Sequence, residues 1–210
     1  TYGCSYPFNV EFTDLSDYAV NWSWDFGNGT TSILQNPQAT FLNYDNYDII
    51  LTVENIKGCV DTQLFNDFIR IEKLTIEIST SGLNGCAPYD INLFDSTNSF
   101  RPIVDWNWDF GDGNFSTTQN PIHQYSSTGI FDVGLFIKND YGCIANEIFP
   151  EFVKVYDIPE ANFGASHLTS CPGENIDFSD FSTSGSAITN WLWNFGNGNI
   201  SILQNPSFQY

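Results

Sequence analysis

Four aspartates, five cysteines and two histidines are the side chains of this chain best suited to chemistry. Asp14, Asp95, Asp109 and Asp112 are hard oxygen donors close to turn-forming residues, the donor type that calcium takes. Asp109 and Asp112 lie three positions apart, and paired carboxylates can also act as acid and base in glycoside hydrolysis. Cys4, Cys59, Cys86, Cys143 and Cys171 could form disulfides or hold a metal. His123 and His167 are the candidates for a general base.

Most of these chemistries fail on spacing. No Asp-x-Asp-x-Asp loop is present, so calcium stands as the one candidate cofactor against a plainer reading of solvated turn carboxylates. Asp109 falls on the outward face of an alternating segment, and Asp112 fits a Gly-x-Gly turn. Both are replaced further along by Asn194 and Asn197, which argues against a required ionised pair. A lone histidine without a placed nucleophile is a poor catalyst. No Cys-x-x-Cys occurs, and the histidines lack zinc spacing. The expectation is a chain with no catalytic residues.

The elements that carry these residues repeat. Trp22-Ser23-Trp24-Asp25-Phe26-Gly27-Asn28-Gly29 returns from Trp106 to Gly113 and again from Trp191 to Gly198, at spacings of 84 and 85 residues. Gln35-Asn36-Pro37 follows at a fixed offset, as do Gln119-Asn120-Pro121 and Gln204-Asn205-Pro206. Such a period is too long for a solenoid and suits a string of small domains. We place them at residues 1–73, 74–157 and 158–210. The third copy stops after its Gln-Asn-Pro turn, so its last strands are expected beyond Tyr210.

The cysteines follow the same period. One precedes each tryptophan motif (Cys4, Cys86, Cys171), and one follows the first two at 37 residues (Cys59, Cys143). The repeat selects the pairs Cys4–Cys59 and Cys86–Cys143, with the partner of Cys171 beyond Tyr210. Each pair would close a loop of nearly 60 residues, worth roughly 4 kcal/mol on the chain-entropy model. Disulfides imply an oxidising compartment, hence an extracellular or cell-surface location.

Within each copy the pattern is β. Val20, Trp22, Trp24 and Phe26 alternate with Asn21, Ser23 and Asp25; Tyr47, Ile49, Leu51 and Val53 alternate with Asp48, Ile50, Thr52 and Glu54, and Phe131, Val133, Leu135 and Ile137 repeat the pattern. Trp22, Trp24 and Phe26 share one face, which favours core packing over sugar stacking. Gly27-Asn28-Gly29 and Gly111-Asp112-Gly113 supply the positive φ that tight turns need. The expected fold class is all-β, with about seven short strands per copy forming a sandwich. Linkers are short, so adjacent copies should be in near-continuous contact.

The chain carries 6 Lys and Arg against 25 Asp and Glu, a formal net charge of -19. Nucleic acid is excluded as a partner, because phosphate binding needs clustered cations. No apolar run reaches the ~18 residues that span a bilayer, so direct membrane insertion is not expected.

The segment Trp108-Asp109-Phe110-Gly111-Asp112-Gly113, with Gln119-Asn120-Pro121, His123-Gln124-Tyr125 and Phe131-Asp132-Val133, resembles the polycystic kidney disease (PKD) domain. Copies one and three resemble it with Asn28, Asn194 and Asn197 at acidic positions. The resemblance implies tandem immunoglobulin-like (PKD-type) β-sandwiches with roles in extracellular contact. Tandem copies with cysteine pairs are similar to large Bacteroidota surface adhesins, including SprB-like gliding-motility adhesins exported by type IX secretion. That implies a non-catalytic stalk or adhesive surface facing an extracellular protein or polysaccharide, with outer-membrane secretion or motility machinery as a further partner. The alternative is an accessory substrate-binding region of a secreted hydrolase.

Overall fold

The computed structural model describes residues 1–169 and 171–210, and it contains strands and no helix among them. The first copy runs β1 (Tyr2–Gly3), β2 (Phe8–Glu11), β3 (Ala19–Asp25), β4 (Thr31–Ser32), β5 (Gln38–Phe41), β6 (Asn46–Asn55) and β7 (Val60–Ile71). The second runs β8 (Ile78–Thr80), β9 (Asn84–Cys86), β10 (Tyr89–Asp95), β11 (Ile103–Asp109), β12 (Phe115–Ser116), β13 (Ile122–Tyr125), β14 (Gly129–Asn139) and β15 (Ile144–Tyr156). The third contributes β16 (Phe163–Ala165), β17 (Asn175–Asp180), β18 (Trp193–Asn194), β19 (Ile200–Ser201) and β20 (Ser207–Gln209).

In the first copy a five-stranded sheet, β1-β7-β6-β3-β4, faces the β2-β5 pair. In the second, β12-β11-β14-β15-β9 faces β13-β10-β8. Period-two alternation places one face of each sheet inward. Phe12, Trp24, Phe26, Phe41, Ile49 and Ile69 form the first core. Ile91, Leu93, Trp108, Tyr125, Leu135 and Val153 anchor the second. The cores divide within a few residues: Ile71 belongs to the first, and Leu74 and Ile76 to the second. The fold is thus a tandem of immunoglobulin-like β-sandwiches. In the third copy the counterparts of that core line an open cavity of about 560 Å³, with Phe178, Trp193 and Phe195 on its wall.

The glycine turns are fixed by a close approach from the neighbouring hairpin. Gly27 and Gly111 both have positive φ (67° and 76°). A Cβ on Gly27 would meet the carbonyl oxygen of Asp48 at 2.5 Å, and one on Gly111 would collide with that of Asp132. Asp48 and Asp132 sit where the long hairpins break register, between Tyr47 and Ile49 and between Phe131 and Val133. Their carboxylates accept the amide hydrogens of Asp67 and Glu151, both at 2.7 Å. Those two residues hold positive φ without being glycine. In each of the first two copies one aspartate therefore stabilises the bulge through its side chain and crowds the glycine turn through its backbone.

The disulfide expectation is corrected. Cys4 is bonded to Cys143, 139 residues away, and Cys59 and Cys86 are exposed free thiols, as is Cys171. Pairs within one copy are ruled out by strand length. Gly3 pairs in parallel with Ile71 at the end of β7, whereas Cys59 immediately precedes the start of β7. A strand of 12 residues separates those ends by roughly 30 Å or more at ~3.3 Å per residue. A disulfide needs its Cα atoms within ~7 Å. The same argument separates Cys86, beside Tyr156, from Cys143 at the start of β15.

Gly111→Ala is expected to destabilise the second copy by about 2–4 kcal/mol, the sum of left-handed strain and overpacking. Gly113→Ala, at φ 91° with nothing within 4 Å of the new methyl, should cost about 1 kcal/mol. Urea denaturation followed by tryptophan fluorescence would rank the two.

Candidate functional site

Each copy carries the same polar clasp between its two sheets. Asp14, just past β2, accepts the indole Nε1–H of Trp22 at 2.6 Å and the side-chain amide of Gln35 at 3.3 Å. Its own backbone N–H donates to the side-chain oxygen of Asn36 at 2.9 Å. Asp95 accepts from Trp106 at 2.8 Å and donates its backbone N–H to Asn120 at 3.0 Å. Asp180 accepts from Trp191 at 2.8 Å and from Gln204 at 3.2 Å, and donates to Asn205 at 2.8 Å. The prolines complete the clasp: the carbonyls of Pro37, Pro121 and Pro206 accept the N–H of Phe12, Leu93 and Phe178, each within 3.0 Å. The second tryptophan of each motif donates to the turn backbone, at Leu34, Gln119 and Leu203. Gln-Asn-Pro therefore recurs with Trp-x-Trp because both ends close on one aspartate.

In Asp14 and Asp180 burial pulls against ionisation, and the hydrogen bonds outweigh it. For Asp14 desolvation alone would raise the pKa, but donors from Ser16, Trp22 and Gln35 bring it below the ordinary value. For Asp180, the hydrogen bonds from Ser182 lead, with Trp191 and Gln204 adding to them, and its pKa falls from 3.8 to about 2.

Asp109 and Asp112 do separate jobs. The Asp109 carboxylate caps the turn by accepting the Gly111 N–H at 2.9 Å. Asp112 accepts the Asn114 N–H at 3.0 Å and contacts His123 Nε2 at 2.8 Å. Desolvation would raise the Asp112 pKa, and the bonds from His123 and Asn114 overcome it. The His123 ring stacks on Phe110 at 4.0 Å and meets Tyr125 edge-on at 4.6 Å. Tyr125 in turn donates to the Phe110 carbonyl at 2.9 Å, and its own pKa is raised, chiefly by burial. In the third copy Asn197 replaces Asp112 and Phe208 replaces His123, stacking on Phe195 at 4.3 Å. In the first copy the pair is Asn28 and Ala39. The acid and the imidazole vanish together, because either alone would leave a partly buried polar group without its partner.

Among the described residues, no three His, Cys, Asp or Glu side chains gather where they could hold a metal ion. Asp14, Asp95, Asp109 and Asp112 are instead distributed over two clasps and one turn.

The feature that spacing alone did not single out is the junction between the first two copies. Glu72, 9% exposed, lies in the linker. Its carboxylate accepts the Tyr2 hydroxyl from the first copy, the Ser99 hydroxyl at 2.9 Å and the Phe100 N–H at 3.0 Å from the second. Asn139, fully buried, donates to the Tyr2 oxygen at 3.3 Å. Tyr2 also packs edge-on against Tyr141 at 4.9 Å. Burial, followed by the bond to Glu72, pushes the Tyr2 pKa well above its ordinary value. The Cys4–Cys143 bond closes the same contact. A glutamate directly after the apolar strand end at Ile71 was the available sequence signal, and it reads as an ordinary linker charge until both flanking copies are in place.

Comparison with known proteins came down on the same family. The sequence model described as PKD domain matches residues 1–68 and 80–152. A collagenase of Bacillus cereus (strain Q1), ColQ1, is 50% identical over 40 residues, covering 19% of this chain and 4% of that protein. The pre-pro-metalloprotease PrtV of Vibrio cholerae is 29% identical over 140 residues, covering 63% of this chain and 14% of that protein. Human polycystin-1 is 28% identical over 121 residues, or 55% of this chain and 3% of that protein. The chain thus spans a small fraction of the relatives it matches. Among solved structures, an amphioxus IgVJ-C2 molecule aligns over 73% of this chain and 99% of its own, at 14% identity and a TM-score of 0.39.

Two outcomes follow from this geometry. Denaturing alkylation without reductant should add three adducts, at Cys59, Cys86 and Cys171, rising to five after reduction; peptide mapping by mass spectrometry checks the positions. Asp180 has a depressed pKa in the folded state, so its contribution is present above about pH 4 and is lost as pH falls through about 2. The Trp191 indole resonance should titrate with a midpoint near 2, and Asp180→Asn should abolish that transition; a midpoint near 4 would contradict the clasp.

Proposed function

This chain belongs to the PKD domain family, and from that premise we propose that it is a non-catalytic, stiffened run of repeats in a long extracellular surface adhesin. It serves as stalk or adhesive surface. The observation that supports this reading is the junction between the first two copies. A linker whose carboxylate is buried by both neighbours, and whose flanking copies share a disulfide, resists the hinge motion that is the default between domains. Its partners on this reading are an extracellular protein or polysaccharide surface and the outer-membrane machinery that exports or moves such an adhesin.

A second reading is supported by the collagenase and metalloprotease relatives. In it the same run of repeats is an accessory region that presents substrate to a catalytic domain of a secreted hydrolase. Stiffness then orients the substrate-binding face rather than extending a tip.

Small-angle X-ray scattering of the oxidised chain tests the stalk reading. A narrow distance distribution is expected, broadening after reduction and broadening again in Glu72→Ala. A distribution equally broad before and after both changes sinks it. A narrow distribution together with retention of the oxidised chain on insoluble collagen would favour the accessory role.

A further inference from the structure

Cys4–Cys143 joins two positions that each recur in this chain. Cys4 follows the short strand β1, which pairs in parallel with the end of β7 through Tyr2–Arg70 and Gly3–Ile71. Cys86 ends β9, which pairs in parallel with the end of β15 through Asn84–Lys154, Gly85–Val155 and Cys86–Tyr156. The two cysteines therefore occupy one place on successive sandwiches. Cys143 sits in a hairpin turn where Asn139 accepts its N–H at 2.9 Å through Oδ1 and donates its own N–H to the Cys143 carbonyl at 3.0 Å. Cys59 sits in the same turn one copy earlier, bonded to Asn55 by the same two contacts at 3.1 and 3.0 Å. Both Cys59 and Cys86 are exposed thiols.

The second junction repeats one contact of the first. Glu72 accepts the Phe100 N–H at 3.0 Å. One period later Asp157 accepts the Gly185 N–H, also at 3.0 Å. The linker carboxylate thus grips the same backbone position of the following copy at both joints.

We propose that the inter-copy disulfide is periodic: Cys86 is built to bond the turn cysteine of the copy directly following it, and Cys59 the edge-strand cysteine of a copy directly preceding it. The ligand of each exposed thiol is accordingly another PKD-type repeat on the same chain. The bond forms when two thiols lose two protons and two electrons. A small disulfide oxidant such as oxidised glutathione takes them up by exchange and leaves as two thiols. Each copy is then stapled to its neighbours at both ends, and never to itself. Strand register and turn geometry carry this pairing, so it survives failure of the adhesin reading.

The test extends the chain. Tyr125 and Tyr210 occupy equivalent positions, each donating its hydroxyl to a phenylalanine carbonyl, Phe110 at 2.9 Å and Phe195 at 3.1 Å. Appending a copy of residues 126–157 after Tyr210 completes the third sandwich and supplies a turn cysteine. A second extension uses residues 42–73 in the same way. Each protein is oxidised in a glutathione buffer, alkylated without reductant and mapped by mass spectrometry. The expected result is Cys86 linked to the added cysteine, with Cys59 and Cys171 alkylated. Linkage of the added cysteine to Cys171, cross-linked dimers, or an alkylated Cys86 in both extensions overturns the proposal.

Discussion

An aspartate that accepts an indole N–H is the interaction on which each sandwich depends. Trp22 and Trp106 stand on one sheet and Trp191 just before β18, while Asp14, Asp95 and Asp180 come from the opposite side. A partly buried indole N–H without an acceptor costs roughly 1–3 kcal/mol. A partly buried carboxylate without donors costs more. Bringing the two together satisfies both and fixes the offset between the sheets. The second tryptophan can then drop into the core, where Trp108 is fully buried. The asparagine of Gln-Asn-Pro holds the aspartate backbone, so the turn before β5, β13 and β20 is placed by the same contact.

The same logic, applied once more in the linker, turns separate sandwiches into a joined pair. Glu72 is withdrawn from water between two copies and can be satisfied only if both supply donors in register. Truncating the glutamate removes the shared acceptor. Reducing Cys4–Cys143 removes the covalent restraint but leaves the acceptor in place. Geometry is specified by the carboxylate, and persistence by the sulfur.

Much of the fold was legible in the sequence because it is written in side-chain alternation and glycine placement, both local in origin. The strands around Trp24 and Leu51 and the glycine turns follow from such signals. The clasp role of Asp14 and Asp95 was not legible. Asp14 and Asp95 look like cation donors when their neighbours along the chain are considered, yet their partners lie eight and eleven residues on, across a sheet interface. The drift of Asp112 to asparagine was visible, but its linkage to the loss of His123 needed the stacking geometry. The cysteines misled for a clear reason. A strict period is equally compatible with bonds inside a copy and bonds between neighbours, and only the length of β7, read as distance, separates them.

The long hairpins leave one further mark. β7 has 12 residues, but β1 covers only Arg70 and Ile71 of its outer edge. β15 has 13, and β9 covers only Lys154 to Tyr156. Along most of their length these edges are free to accept a foreign strand, and similar copies held close together are the most dangerous donors. Asp61, Asp67, Glu147 and Glu151 stand along these strands, and the bulges at Asp67 and Glu151 twist their outer rims out of line. Acidic side chains on these edges therefore disfavour pairing with a strand from a neighbouring copy.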